Sequence, residues 1–204
     1  MAARLFNFGV NWMNIIITGV RALQAPSISE SKLDKPKTSH ILYGYVLPFS
    51  LLTPVMVIIA GQDPSLFNKM LLNQHIYLLG FLVFLSQIIS LPLIAWMVKN
   101  LASMVSIRPN FRDSLLIMAI SATPFWLVSL CFLVPNLQFN MLMYGVAAIS
   151  ASILVYFGVK NIFNLKARGA RVMLSGAIVA VASLAFGIIF IGTLIVSEYL
   201  QHQT

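Results

Sequence analysis

The chain has 204 residues, 59% hydrophobic and only 9% charged, with a formal net charge of +8. A soluble domain carries roughly 25% charged residues, so this composition excludes a water-facing globular surface and points to one that faces lipid. The basic residues lie scattered in short segments between apolar runs rather than in a stripe, so nucleic-acid binding is not expected.

In chain order, residues 1–25 come first. Arg4, Asn7, Asn11, Asn14, Thr18 and Arg21 recur every three or four positions, with Leu5, Phe6, Phe8, Trp12, Ile15, Ile16 and Val20 around them. That pattern predicts an amphipathic helix lying in the membrane interface. A signal peptide fits less well, because Asn7, Asn11 and Asn14 interrupt the apolar core and Leu23-Gln24-Ala25 is a poor cleavage site. The polar stripe also argues against a sixth span. Residues 26–39, polar with alternating charge, read as a linker.

A transmembrane helix needs roughly 20 mostly apolar residues, and five stretches supply them: about 41–60, 75–98, 114–133, 140–159 and 172–196. They are continuously apolar, without the period-two alternation of barrel strands, so the expected fold is an all-α polytopic bundle over residues 40–198. Gly61, Gln62, Asp63 and Pro64 break the chain after the first span, and Arg108, Pro109 and Asn110 before the third. Pro135 and Asn136 turn the chain between the third and fourth spans, and Asn161, Asn164 and Gly169 are placed in the loop before the fifth. Pro48, Pro54, Pro92 and Pro124 predict kinked helices. Tyr43, Tyr77, Trp96, Tyr144 and Tyr199 stand at span ends, where interfacial aromatics are expected.

Lys and Arg set the orientation. One face carries twelve: Arg4, Arg21, Lys32, Lys35, Lys37, Lys99, Arg108, Arg112, Lys160, Lys166, Arg168 and Arg171. The other carries only Lys69. The basic face belongs in the cytoplasm, which puts the N-terminus inside and the C-terminus outside.

Chemistry inside the spans is sparse. Asp63, Asp113 and Glu198 lie in loops or at span ends, which counts against an ion-coupled transporter or proton pump. His40 and His75 stand at span ends, and no spacing pairs them with Ser121 or Cys131 as a hydrolase would need. Cys131 is the only cysteine, so there is no intrachain disulfide and no metal-ligand spacing. No catalytic residue, metal or cofactor is expected. The mild polar residues Ser86, Gln87, Ser90, Ser121 and Thr123 either bond across helices or line a polar groove for a lipid or small solute. Lys160, Lys166, Arg168 and Arg171 are candidate contacts for anionic headgroups. Gly145, Ala148 and Ser152, with Gly176, Ala180, Ser183 and Gly187, are candidates for close helix packing. They would pack within the chain, the simpler expectation, or against a second copy.

Three blocks add a resemblance. Tyr43-Gly44-Tyr45-Val46-Leu47-Pro48, Ala122-Thr123-Pro124-Phe125-Trp126-Leu127 and Val155-Tyr156-Phe157-Gly158-Val159 occur in this order and spacing, with Val134-Pro135, Lys166-Ala167 and Arg171. Over roughly residues 12–197 the chain resembles the Ypt/Rab-interacting (Yip) family of five-span membrane proteins. The resemblance implies a five-span bundle with a cytoplasmic N-terminus. Eukaryotic members carry a long polar N-terminal region and work with Rab-type GTPases in vesicle traffic. Only about forty residues precede the first span here, so the chain looks like the short bacterial branch of the inner membrane, and a Rab-type partner is not implied. The family brings no catalytic site. The expected function is interaction, as a scaffold or accessory subunit that binds membrane lipids and another membrane protein or a second copy. The alternative is a transporter or lipid-moving protein built on the polar groove between the proline-kinked spans.

Overall fold

The computed structural model of the protein describes residues 37–62 and 76–202. The readings of residues 1–25 as an interfacial helix and of the chain before Lys37 as a linker lie outside the described residues, as do Asp63, Pro64, Lys69 and His75.

Among the described residues every regular element is helical. Five helices are long and apolar enough to cross a bilayer: α1 (Thr38–Gly61), α2 (Ile76–Met104), α3 (Phe111–Leu133), α4 (Leu137–Asn161) and α5 (Arg168–His202). A helix pairs its backbone groups internally, which lipid demands. The helices overrun the apolar stretches of the sequence. α1 already begins inside the expected linker, at Thr38. α2 continues past Val98 through Lys99 and Asn100 to Met104, and α5 starts at Arg168 rather than near Val172. Hydropathy falls at the first charges, whereas backbone hydrogen bonding carries on into the headgroup region. For the same reason Asn161 and Gly169, expected in a loop, are helical, and of the three residues placed in that loop only Asn164 is in it.

The helix ends have identifiable stops. Ser106 closes α2 in the left-handed conformation (φ 62°), its N–H bonded to Ser103 O at 3.2 Å and that of Ile107 to Ala102 O at 3.1 Å. This is a Schellman termination. Asn136 caps α4, its side chain accepting from the Phe139 N–H at 3.0 Å. α1 is the irregular helix. Residues Leu42–Val46 form a π-turn in which the Leu47 N–H reaches Leu42 O. It leads into Pro48, which lacks the N–H that would pair with Gly44 O. Helices α2 and α3 run through Pro92 and Pro124 without leaving the helical state.

α3 lies against α1, α2 and α4, while α2 also packs on α1 and α5, and α4 on α5. One contiguous core gathers Ile41 and Val46 from α1, Val98 and Ala102 from α2, Leu115 and Ile117 from α3, Val159 from α4 and Ile178 from α5. These residues cluster toward the end of the bundle that carries loops 105–110 and 162–167. Farther along α5, Leu184 and Ile188 are 68% and 70% exposed. Lipid offers no hydrophobic drive between helices, so close van der Waals packing has to supply the cohesion. Ala95, Ala102 and Ala119, fully buried, allow it. So does Gly158, where a Cβ would stand 3.0 Å from two atoms of Ile117 across the α3–α4 contact.

The small-residue stripes behave otherwise. A Cβ added at Gly145, Gly176 or Gly187 would meet nothing within 4 Å, and Ala148, Ala180 and Ser183 are exposed. The expectation that these stripes pack on each other within the chain is therefore corrected. The helices meet through alanines, Gly80 and Gly158, and most of the stripe residues face outward, with Ser152 and Gly187 half-buried.

Candidate functional site

Two regions gather the polar and charged side chains. The first is a junction of α1, α2 and α3 inside the bundle. The π-turn of α1 buries Tyr45, and its hydroxyl shares a 2.5 Å hydrogen bond with Thr123 Oγ1 on α3. One turn farther along α3, Trp126 is 3% exposed and donates its indole N–H to Gln87 Oε1 on α2 at 3.0 Å. Phe49 fills the gap, its ring centroid 4.9 Å from Tyr45 and 5.8 Å from Trp126. Each aromatic supplies a large apolar body and, for Tyr and Trp, one polar tip that needs a partner.

This junction holds two of the five polar residues singled out in the sequence, Gln87 and Thr123. The other three bond to their own helices. Ser86 donates to Val83 O at 2.7 Å, Ser90 to Gln87 O at 3.2 Å and Ser121 to Met118 O at 3.0 Å. Thr123 also donates to Ala119 O at 3.3 Å. All five thus spend hydrogen-bonding capacity on the protein itself. Sequence reasoning missed Tyr45 and Trp126 as partners of this network. The available signal was a Tyr and a Trp inside apolar spans, whose polar tips require acceptors.

The second region is the basic end. Lys166 and Arg168 are exposed and Lys160 is half-buried. Arg171 is more committed. Its Nη2 donates to Lys166 O at 3.1 Å, and its Cζ lies 5.5 Å from the centroid of the Tyr156 ring. Two further cations, Lys99 and Arg108, are exposed at the same end. Arg112 instead leans toward the buried Asp113, with Nε 3.7 Å from Oδ1.

Among the interfacial aromatics, Tyr43, Tyr77, Trp96 and Tyr199 are exposed. Tyr144 is instead a packing residue, 6.4 Å from Phe125 and 5.9 Å from Phe132 between centroids. Among the described residues no three His, Cys, Asp or Glu side chains converge as metal ligands would.

In comparison with known families, the chain matches the Yip1 domain over residues 23–189. No curated protein and no solved structure matches significantly.

Proposed function

Because this chain belongs to the Yip1 domain family and is a multi-pass membrane protein with five apolar helices, we propose that it acts by interaction rather than catalysis. It would be a scaffold or accessory subunit in membrane organisation or trafficking, engaging a membrane protein or lipid through its basic end. One observation carries this reading. The intramembrane polar residues Ser86, Gln87, Ser90, Ser121 and Thr123 are hydrogen-bonded within the chain, whereas Lys99, Arg108, Lys166 and Arg168 project outward. A solute path needs polar groups free to exchange partners, and a docking face needs charges that point away from the protein.

The positive-inside bias supports a cytoplasmic basic end, an N-terminus on that side and a C-terminus on the other, while residence in a bacterial inner membrane rests only on the resemblance to the short bacterial branch.

The test is a gentle-detergent pull-down of the full-length tagged chain from its native membrane, with mass spectrometry of bound proteins and lipids. A partner at fixed stoichiometry that is lost in an Arg108→Glu, Lys166→Glu variant of unchanged thermal stability supports the proposal. Solute or lipid movement by the purified protein in liposomes, abolished by Gln87→Leu, overturns it.

A further inference from the structure

The outer face of α4 carries a groove of about 560 Å³ lined by Ala148, Ile149, Ser152, Ile153, Tyr156 and Phe157. The groove is shallow and open on its outer side. Its floor is the small pair Ala148 and Ser152, and its walls include the exposed Ile149, Ile153 and Phe157. Gly145, one turn before Ala148, extends the floor with open space above it. In a bilayer such a groove does not stay empty. Either an acyl chain or another helix fills it.

The charge at one end of the groove decides between them. Arg171 Cζ lies 5.5 Å over the Tyr156 ring, and Nη2 is tethered to Lys166 O at 3.1 Å. Nε is buried and makes no hydrogen bond. Among the described residues no carboxylate pairs with this guanidinium. Lys160 lies one turn beyond Tyr156 on the same face of α4, by the 3.6-residue repeat. The groove therefore runs from an apolar stretch inside the membrane to two cations at the basic end. Ala148 to Phe157 spans about 14 Å at 1.5 Å per residue, close to half of a hydrocarbon core about 30 Å thick.

A second copy does not suit this face. A two-fold axis along the membrane normal would set Arg171 and Lys160 against their own copies at equal depth, and like charges repel most strongly where the dielectric is low. An anionic phospholipid satisfies both ends. Resting on the interaction reading above, we infer that the α4 groove is a site for one anionic phospholipid of the leaflet at the basic end. Its acyl chain lies along Ala148, Ser152 and Ile153, and its phosphate sits between Arg171 and Lys160. The Tyr156 ring and the Lys166 carbonyl hold the guanidinium in place, and the fork of a guanidinium suits phosphate oxygens.

The experiment is native mass spectrometry of the full-length protein in neutral detergent, titrated with phosphatidylglycerol and phosphatidylcholine of matched chains. One phosphatidylglycerol per chain is expected to bind in preference. Each basic residue near a headgroup gives about a fivefold gain. Arg171→Gln should therefore cut the preference about fivefold, and Arg171→Gln with Lys160→Gln about 25-fold. Ser152→Leu fills the groove without changing charge and should remove the first bound lipid of either kind. Because Arg171 also holds the loop, Arg171→Lys is the control, keeping the preference at lower affinity. A single lipid retained with unchanged preference in Ser152→Leu overturns the site. So does a wild-type dimer that Ser152→Leu dissociates, since the occupant is then a second copy. The two readings fail separately. A chain that binds this lipid but captures no protein loses only the protein-scaffold role. A chain that captures a partner and binds lipid regardless of Ser152 loses only this site.

Discussion

The Gln87–Trp126 hydrogen bond ties α2 to α3 across the bundle, and its contribution can be isolated. Trp126 is 3% exposed and its indole N–H has Gln87 Oε1 as acceptor at 3.0 Å. Gln87→Leu keeps a similar volume and removes the acceptor, which leaves a buried donor unpaired at a cost of about 1–3 kcal/mol. The unfolded state in a membrane also finds partners for such groups, so interhelical bonds measured by double-mutant cycles average about 0.6 kcal/mol and reach about 1.7. Gln87→Leu should therefore destabilise the protein by about 1 kcal/mol. In a Trp126→Phe background, where no indole N–H remains, the same change should cost less, with a coupling of about 0.6–1.7 kcal/mol. The assay is reversible unfolding in mixed micelles with increasing dodecyl sulfate, followed by circular dichroism, on the wild type, both single variants and the double variant. A coupling indistinguishable from zero would show that the two side chains do not hold α2 against α3, and the junction would then reduce to ring packing.

Four further variants test the packing and the helix ends, with thermal unfolding in detergent as the readout. Gly158→Val should cost about 1–3 kcal/mol, because its Cβ would stand 3.0 Å from Ile117, whereas Gly176→Ala, with nothing within 4 Å, should be neutral or stabilising; equal losses would refute the outward placement of the small-residue stripe. Ser106→Gly should raise stability by about 1 kcal/mol, since the left-handed conformation at φ 62° costs a side-chain-bearing residue about 1–2 kcal/mol. Asn136→Ala removes the acceptor of the Phe139 N–H and should cost about 1 kcal/mol; no change would mean that water caps α4 equally well.

The spans were legible because lipid imposes one requirement, a continuous apolar run, that composition satisfies or fails outright. What the sequence did not reveal was which side of each helix faces inward. In a soluble protein the polar face marks the outside. Here both faces are apolar, as when α2 buries Leu91 and Ile94 yet exposes Ile89 and Leu93, so hydropathy carries no rotational information. Small residues were the remaining guide, and they were ambiguous. Ala95, Ala102 and Ala119 went inside, while Gly145, Gly176 and Ala180 went outside. The Tyr45–Thr123 and Trp126–Gln87 pairs depend on those same rotations and on the π-turn of α1, which advances the chain relative to a plain helix. Arg171 stood in the sequence as one of four candidate headgroup contacts, but nothing in its own stretch of chain announces the ring of Tyr156.

Among the described residues the buried core lies toward the basic end, and this bears on what its charges do. Loops 105–110 and 162–167 are built alike. Each contains a left-handed residue, Ser106 at φ 62° or Asn164 at φ 51°. In each the next residue, Ile107 or Leu165, packs on the core, and the one after that is an exposed cation, Arg108 or Lys166. The plug fixes the loop and the loop fixes the cation. Charges that only orient a chain during insertion need to be on the correct side, and a floppy loop serves for that. Holding them at set positions costs conformational entropy and, at Ser106, backbone strain. Part of the return is the helix stop itself, as at Ser106; cations held at set positions also suit an anionic surface or partner. If the proposed interaction holds, the core beneath these loops is what keeps the cations in register for it.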